Sequence, residues 1–294
     1  MKYHFILGLG LFLSLCSCAK KQDKPVSRHE SKLTALFRPA SEAYPIISVH
    51  RGGKGLRNYP ENCIETMSYI KDSINAMFEV DVAETKDGKL VLMHDRSVTR
   101  TTTGQGLVNG LNYNDLKSFY LVDDFGNVTP YRVPLFTDVL EWAKRQNIIL
   151  SVDIKRSTTQ SKVIKAIEKA KAEDYCILIT YTLQQAKHAH GLAPGLLLSV
   201  PARNETELKR LLQAEIPVHQ MVAFTGTRLS RKSLYTSIVS YDMLPMLGTL
   251  GNLDQRAQAR GDHLYRKWMD LGVRIFATDR PFEAYQAVNS ANQK

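Results

Sequence analysis

Short apolar runs alternate with amphipathic stretches along the chain from residue 46 onward. The runs are rich in Val, Ile and Leu, a pattern typical of strands that are buried on both faces. If residues 76–94 are counted as one strand region, the runs lie at residues 46–50, 76–94, 148–154, 176–181, 195–200, 218–224, 244–250 and 273–278. Buried strands separated by helices predict a parallel sheet covered by helices.

The stretches between the runs show helical periodicity. The clearest one begins after Pro134, where a first-turn proline is tolerated, and its apolar residues share one face. That face consists of Leu135, Phe136, Val139, Leu140 and Ala143. A second stripe consists of Leu264, Trp268 and Leu271. Both segments are therefore predicted to be helices that pack against the sheet.

Eight β-α units in about 250 residues match the size of a (β/α)8 TIM barrel. A doubly wound open sheet is the alternative, but no Gly-rich dinucleotide-binding turn follows the first strand. Residues 95–133 interrupt the alternation, because they are polar and rich in Thr, Asn, Asp and Gly. The sequence thus predicts a barrel with a small insertion after the second strand, which would shape a substrate pocket.

The N-terminus has the pattern of an export signal. Lys2 precedes an apolar run at residues 5–15, which is too short to span a bilayer. The run ends in Leu15-Cys16-Ser17-Cys18, which resembles a bacterial lipobox, with Cys18 as the acylated residue. The alternative is an ordinary secretory peptide cleaved nearby.

This reading predicts a signal peptide over residues 1–17, a lipidated tether over residues 18–43 and the barrel over residues 44–294. The protein would then be an exported bacterial lipoprotein, attached to a membrane of the cell envelope or on the periplasmic side through a lipid on Cys18. After removal of the signal, Cys63 and Cys176 would be the remaining thiols, and one pair of cysteines is no disulfide framework.

The net charge of +10 comes from 39 Lys and Arg against 29 Asp and Glu. Much of this excess lies in residues 19–40, which contain six basic and two acidic residues. The remaining charge is too dilute for a nucleic-acid-binding stripe, so no nucleic-acid partner is expected.

Polar side chains lie where apolar runs end. They are His50 and Arg51, Glu79 and Asp81, His94, and Asp153 and Lys155. Residues i and i+2 of a strand point to the same face, which pairs Glu79 with Asp81 and Asp153 with Lys155. Strand ends converge at the C-terminal mouth of a barrel, where catalytic sites are found. Because unpaired charges there are costly, we interpret this group as a functional site.

Three converging carboxylates, those of Glu79, Asp81 and Asp153, repel one another unless a cation lies between them. Ligand sets made only of oxygen suit Mg²⁺ or Ca²⁺ rather than zinc. Arg51 and Lys155 add positive charge beside such a cation, which favours an anionic substrate such as a phosphodiester. Two histidines in the same place suggest an acid and a base.

The chain resembles the glycerophosphodiester phosphodiesterase family from about residue 46 to residue 287. The resemblance is carried, in order, by SVHRGG, YPENCIET, FEVDVAETKDGKLVLMHDRSVTRTT, PLFTDVLEWA, SVDIK and FATDRP. It implies metal-dependent hydrolysis of a glycerophosphodiester to glycerol phosphate and an alcohol, through a cyclic phosphate formed by a substrate hydroxyl. It implies these roles: His50 and His94 as the acid–base pair, Arg51 and Lys155 as phosphate ligands, and Glu79, Asp81 and Asp153 as ligands of one divalent cation.

The chain departs from the family pattern at three places. Asp153 stands where the family usually has Glu, Cys63 replaces the Thr of a PENT string, and residues 247–250 lack the usual WT pair. Thr278 and Asp279 resemble the closing TD motif, which we interpret as structural, with a role in substrate binding as the alternative. Two alternatives follow: a lyase that stops at a cyclic phosphate, or a tethered protein that binds phosphodiesters without turnover if Asp153 does not support a metal.

Overall fold

The computed structural model describes residue 1 and residues 30–290. The strands of this part are β1 (Ile47–Val49), β2 (Ala76–Glu84), β3 (Leu90–Leu92), β4 (Tyr120–Val122), β5 (Val128–Arg132), β6 (Leu150–Ile154), β7 (Cys176–Ile179), β8 (Leu197–Pro201), β9 (Met221–Phe224), β10 (Pro245–Gly248) and β11 (Ile275–Thr278). The helices are α1 (Leu33–Leu36), α2 (Ile64–Lys71), α3 (Tyr113–Leu116), α4 (Phe136–Gln146), α5 (Gln160–Ala170), α6 (Leu183–Leu192), α7 (Glu205–Leu212), α8 (Lys232–Ser240), α9 (Asn252–Arg260), α10 (His263–Asp270) and α11 (Pro281–Asn289).

Eight parallel strands form a closed barrel. Their order is β1-β2-β6-β7-β8-β9-β10-β11, and β11 pairs again with β1. Residue Val49 of β1 is in register with Phe78 on one side and Thr278 on the other. The predicted (β/α)8 barrel is therefore confirmed.

The second predicted strand region divides into two strands that run in opposite directions. β2 belongs to the barrel, whereas β3 pairs with it antiparallel, with Val82 opposite Leu92. The reversal occurs in a turn where the Thr85 hydroxyl accepts from the Lys89 N–H and Gly88 has a φ of 77°. This left-handed conformation suits glycine, so the turn sends the apolar segment back along β2.

Each barrel strand is buried on both faces, which explains its continuous apolar sequence. Ile177 of β7 and Leu197 of β8 point into the barrel interior. Their neighbours Leu178 and Leu198 belong to the layer between strands and helices. Two apolar layers thus hold the strand ends, and the side chains on them, in fixed positions.

The predicted helices form, with differences in detail. In α4 the predicted face is buried together with Trp142, except that Leu135 precedes the helix as its N-cap and is only partly buried. The helix is followed by Asn147 in the left-handed conformation. In α10 the buried residues are Tyr265 and Trp268, while Leu264 is only partly buried. The eight-residue helix packs through Tyr265, because its ring meets both Trp268 and Phe276.

The N-terminal end of the barrel is closed by the segment around α1. Leu33 and Phe37 are buried in the interior cluster beside Met77. The Ser31 N–H donates to the Gly195 carbonyl at 2.9 Å, next to the start of β8. The predicted tether overlaps this packed segment, whereas the predicted signal peptide (beyond residue 1) and Cys18 lie outside the described residues. No helix in residues 30–290 is long and apolar enough to cross a membrane.

The segment between β3 and α4 forms a small layer beside the barrel mouth. It contains α3 and the β4–β5 hairpin. Its own apolar cluster includes Val98, Val108 and Leu116, and this cluster also contacts Ala83 of β2. The insertion is therefore packed on the same edge of the barrel that carries the acidic residues of β2.

Candidate active site

The loop after β1 places two predicted residues in the mouth. Arg51, Gly52 and Gly53 have φ values of 54°, 65° and 124°. A Cβ on Gly53 would lie 2.6 Å from the side chains of Ile70 and Thr66, so glycine permits close packing against α2. In this turn the Arg51 N–H donates to Glu79 Oε2 at 2.7 Å. The loop thus connects the first strand directly to the acidic residues of the second.

Three carboxylates converge at the ends of β2 and β6. Glu79 and Asp81 share a face of β2, and the parallel register places Asp153 beside Asp81. One oxygen from each of the three side chains lies within 4.8 Å of the others. The Asp81 and Asp153 residues are 1% and 5% exposed, so their charge is little screened by water.

Burial and neighbouring charges shift the pKa values of Glu79 and Asp81 in opposite directions. Burial, followed by the charges of Asp81 and Asp153, raises the pKa of Glu79 well above its usual range. Burial also opposes ionisation of Asp81, but Lys155 and a hydrogen bond from Asn62 outweigh it and lower the pKa of that carboxyl. The cluster therefore lacks positive charge, even with Lys155 in place.

Three side chains, those of Lys155, Asn62 and Tyr181, hold the aspartates in position. The Lys155 ammonium lies 2.6 Å from Asp81 Oδ1 and 2.6 Å from Asp153 Oδ2. Asn62 donates to Asp81 Oδ2 at 2.7 Å and accepts from the Asp81 N–H at 2.9 Å. The Tyr181 hydroxyl donates to Asp153 Oδ1 at 2.9 Å. Every oxygen of the two aspartates thus has a named partner.

The donor set fits a divalent cation. It consists of carboxylate oxygens only, which are the ligands that Mg²⁺ and Ca²⁺ prefer. The raised pKa of Glu79, which follows from burial and the neighbouring carboxylates, is the response of a site with too many negative charges. Glu79, Asp81 and Asp153 are the residues that would hold the ion.

Each predicted catalytic histidine contacts a carboxylate through the same ring atom. His50 Nδ1 lies 2.6 Å from Asp279 Oδ1, and His94 Nδ1 lies 2.7 Å from Asp95 Oδ1. Burial opposes ionisation of Asp279, but the hydrogen bond and charge of His50, together with the charges of Lys54 and Arg51, outweigh it and lower the pKa of Asp279. A carboxylate on Nδ1 fixes each ring; it leaves Nε2 of His50 for a reacting group, whereas Nε2 of His94 lies 2.9 Å from Arg51 Nη2.

Two of the three nitrogens of the Arg51 guanidinium have a hydrogen-bond partner, and the third has none. Its Nη1 lies 3.1 Å from Glu61 Oε2, and its Nη2 lies 2.9 Å from His94 Nε2. Arg100 donates to both Glu61 and Asp95, so it braces the same assembly. Arg51 Nε is buried without a hydrogen-bond partner. A buried donor in this state is suited to an acceptor that arrives with a ligand.

These groups line a cavity of about 280 Å³ inside the barrel mouth. The carboxylate cluster, both histidines and Lys155 form its polar side. The remaining lining includes the apolar residues Ile179, Pro201, Phe224, Met246 and Leu250, together with Arg203 and small polar residues such as Thr227. Apolar walls around converging charges strengthen electrostatic interactions with a bound substrate.

The seven residues predicted from strand ends lie together at the mouth, although one of them, His94, does not follow a parallel strand of the barrel. His94 follows the antiparallel strand β3, and the Met93 N–H donates to the Asp81 carbonyl at 2.8 Å. The interpretation of Asp279 as a structural residue did not include its contact with His50. Five residues that hydrogen-bond to the predicted site residues, or to their partners, were not predicted, although each lies inside or beside one of the family-like strings or strand ends. They are Glu61, Asn62, Asp95, Arg100 and Tyr181.

Comparisons with known proteins agree with this architecture. The model of the glycerophosphoryl diester phosphodiesterase family matches residues 50–254. A crystal structure of a glycerophosphoryl diester phosphodiesterase from Parabacteroides distasonis has a TM-score of 0.81 and 28% identity, and the match covers 88% of this chain and 91% of that one. An Oleispira antarctica phosphodiesterase in complex with the product sn-glycerol-3-phosphate shares the fold, with a TM-score of 0.66 and 17% identity over 85% of this chain and 97% of that one.

A curated relative from Bacillus altitudinis, a glycerophosphodiester phosphodiesterase, is 34% identical over 52% of this chain and 65% of its own length. The chain likewise covers 63% and 65% of two further bacterial relatives, just under two thirds of each. The family match nevertheless spans most of the barrel, including both histidines and all three carboxylates. The chain belongs to the glycerophosphoryl diester phosphodiesterase family.

Proposed function

We propose that the protein hydrolyses glycerophosphodiesters to glycerol phosphate and an alcohol with the help of one divalent cation. The observation that carries this proposal is the convergence of a buried carboxylate cluster with two histidines, each held by a carboxylate. Family membership and the glycerol-phosphate complex of the Oleispira relative support the substrate class.

The phosphate would bind between the cationic side chains and the histidines. Arg51 Nε is a buried donor with no partner, so a phosphate oxygen would satisfy it. Lys155 lies at the edge of the carboxylate cluster and lines the same cavity. A singly charged diester is thus placed where the protein supplies two positive charges.

The histidines would move the protons of the reaction. One neutral imidazole takes the proton of the glycerol hydroxyl as its oxygen bonds to phosphorus, and the other, protonated, gives a proton to the departing alcohol oxygen. Water then opens the cyclic phosphate with the two roles exchanged, which yields glycerol phosphate. Asp279 and Asp95 orient the rings of His50 and His94 through Nδ1. Nε2 of His50 would take part directly, and Nε2 of His94 would be released when the Arg51 guanidinium, which contacts it at 2.9 Å, turns to the phosphate.

A divalent ion held by Glu79, Asp81 and Asp153 would supply Lewis-acid stabilisation of negative charge on the phosphate and hydroxyl oxygens. Mg²⁺ and Ca²⁺ both suit the three carboxylates, so both are proposed as candidates. The shorter Asp153 is accompanied by Tyr181, whose hydroxyl contacts its Oδ1. Tyr181 therefore shapes the part of the site where the chain departs from the family pattern.

We also propose that the protein is exported and attached to a membrane through an acyl group on Cys18. This proposal is supported by the lipobox-like residues 15–18 and the short apolar run before them. Mass spectrometry of the N-terminal peptide from a bacterial membrane fraction would test it. An acylated Cys18 is expected, and an unmodified N-terminus at another residue would contradict it.

The test of the activity is turnover by the purified protein. Glycerophosphocholine, glycerophosphoethanolamine, glycerophosphoglycerol and glycerophosphoinositol would each be supplied with EDTA, Mg²⁺ or Ca²⁺, and glycerol phosphate and cyclic phosphate would be measured separately. Metal-dependent release of glycerol phosphate is expected. Cyclic product alone would indicate a lyase, and binding without turnover would indicate a phosphodiester-binding protein; either result would overturn the proposed hydrolysis.

A further inference from the structure

A second cavity of about 560 Å³ opens beside the first. Its walls come from the start of the insertion and from the segment that follows β6. The two cavities share His94 and Lys155, which form the boundary between them. A ligand bound to these two residues can therefore extend into both spaces.

The second cavity carries excess positive charge. Arg96 and Arg156 line it, both are exposed, and neither guanidinium has a hydrogen bond or ion pair within residues 30–290. Asp95 is the acidic residue among the described lining residues, and it is already engaged by His94 and Arg100. The first cavity has the opposite character, because it contains the three buried carboxylates.

A phosphodiester has two arms, and the boundary residues separate them. The arm whose hydroxyl attacks phosphorus belongs beside the carboxylates, where oxygen ligands and a bound cation favour a polyol. In an in-line displacement the departing oxygen lies on the opposite side of phosphorus from the attacking one. The departing alcohol is thereby directed past His94 into the cavity of Arg96 and Arg156.

We propose that Arg96 and Arg156 form a subsite for an anionic leaving alcohol, one that carries a phosphate or a carboxylate. This inference rests on the proposed hydrolysis and adds the charge class of the alcohol. A phosphate or carboxylate in the second cavity would give the guanidiniums the oxygen acceptors that they lack in this structure, and guanidinium groups bind such oxygens in pairs. Arg96 and Arg156 would act as specificity-determining residues, distinct from the groups that bind the scissile phosphate.

The test compares two substrates that differ by one group: glycerophosphoglycerol and the same compound phosphorylated on its terminal hydroxyl. The wild type should show the higher kcat/KM for the phosphorylated compound. Arg96→Gln and Arg156→Gln should each lower the ratio of the two kcat/KM values about fivefold, which is the scale of one solvent-accessible ion pair. The double variant should lower the ratio about 25-fold if the two free-energy contributions add. Raising the salt concentration should reduce the wild-type ratio.

Arg145→Gln is the matched control, because Arg145 is an exposed arginine in the last turn of α4 that lines neither cavity. It should keep the wild-type ratio. Equal kcat/KM for both compounds, or an unchanged ratio in the double variant, would overturn the subsite while leaving the hydrolysis intact. Failure of the wild type to turn over either compound with Mg²⁺ or Ca²⁺ would overturn both proposals.

Discussion

Replacement of Lys155 by Met should destabilise the metal-free protein strongly, because it removes the positive charge between two buried carboxylates. The ammonium lies 2.6 Å from both Asp81 and Asp153, whose side chains are 2% and 6% exposed. Removing one partner of a buried ion pair costs about 3–5 kcal/mol. The Lys155 side chain itself is 22% exposed, so we expect a loss of about 2–4 kcal/mol. Methionine keeps most of the apolar stem in place.

This loss should depend on pH with a predictable sign. In the wild type the pKa of Asp81 is lowered, because Lys155 and Asn62 outweigh burial. Its contribution to stability is therefore present above the ordinary pKa of an aspartate and is lost as the pH falls through the lower folded value. Without Lys155, burial and the adjacent carboxylates favour protonation of Asp81. The deficit of Lys155→Met relative to the wild type should then shrink as the pH is lowered from about 8 to about 5.

Calorimetric unfolding in EDTA, Mg²⁺ and Ca²⁺ would measure these effects. A loss of about 2–4 kcal/mol corresponds to a decrease in Tm of roughly 4–8 °C for a domain of this size. A bound cation replaces the missing charge, so the ion should raise the Tm of Lys155→Met more than that of the wild type.

Lys162→Met is the control for this experiment. Lys162 pairs with Glu84 in a more exposed setting, where the side chains are 39% and 24% exposed. Its replacement should cost no more than about 1 kcal/mol. If Lys155→Met lost no more stability than Lys162→Met, Lys155 would not be the residue that neutralises the carboxylate cluster. The same conclusion would follow if the stability loss of Lys155→Met changed neither with pH nor with added metal.

Three further predictions concern the reacting groups. His50→Ala and His94→Ala should each reduce kcat to background with an unchanged circular dichroism spectrum, and near-normal kcat in either variant would remove that histidine from the acid–base pair. Asp153→Glu should bind the cation at least as tightly as the wild type in calorimetric titration, since it restores the side-chain length usual in the family. Unchanged affinity in Asp153→Ala would exclude Asp153 from the ligand set. Asp279→Asn should lower kcat/KM about tenfold or more, because a neutral amide holds the His50 ring less firmly than a carboxylate does; an unchanged value would show that the ring does not depend on this charge.

The barrel could be predicted from the sequence because its strands are buried on both faces. Ile177 and Leu178 point in opposite directions, yet both are buried, so the run is apolar throughout. The direction of Leu90–Leu92 could not be read in the same way. An apolar run has the same composition whether it continues a strand or returns along it. The turn at Thr85–Lys89 reverses the chain, so that β3 runs antiparallel to β2.

The candidate residues could be located because polar groups at strand ends interrupt this pattern. Their partners could not, because they come from distant parts of the chain. His50 and Asp279 are 229 residues apart in sequence, and only closure of the barrel by β1 and β11 brings them together. The packed N-terminal segment was also missed, since Leu33, Leu36 and Phe37 form only a short apolar stretch within a basic segment. Their packing becomes evident only in the folded barrel, where Leu33 and Phe37 are buried in its interior cluster.

The segment around α1 closes one end of the barrel, so the two ends of the barrel differ. The Ser31 N–H and hydroxyl donate to the Gly195 and Glu173 carbonyls, which precede β8 and β7, so the chain enters the domain at the end remote from the mouth. An acyl chain on Cys18, as the sequence predicts, would therefore hold the molecule by its closed base. The open rim would then face the aqueous phase, and a diffusing, water-soluble diester would reach it more readily than a lipid still embedded in the same leaflet.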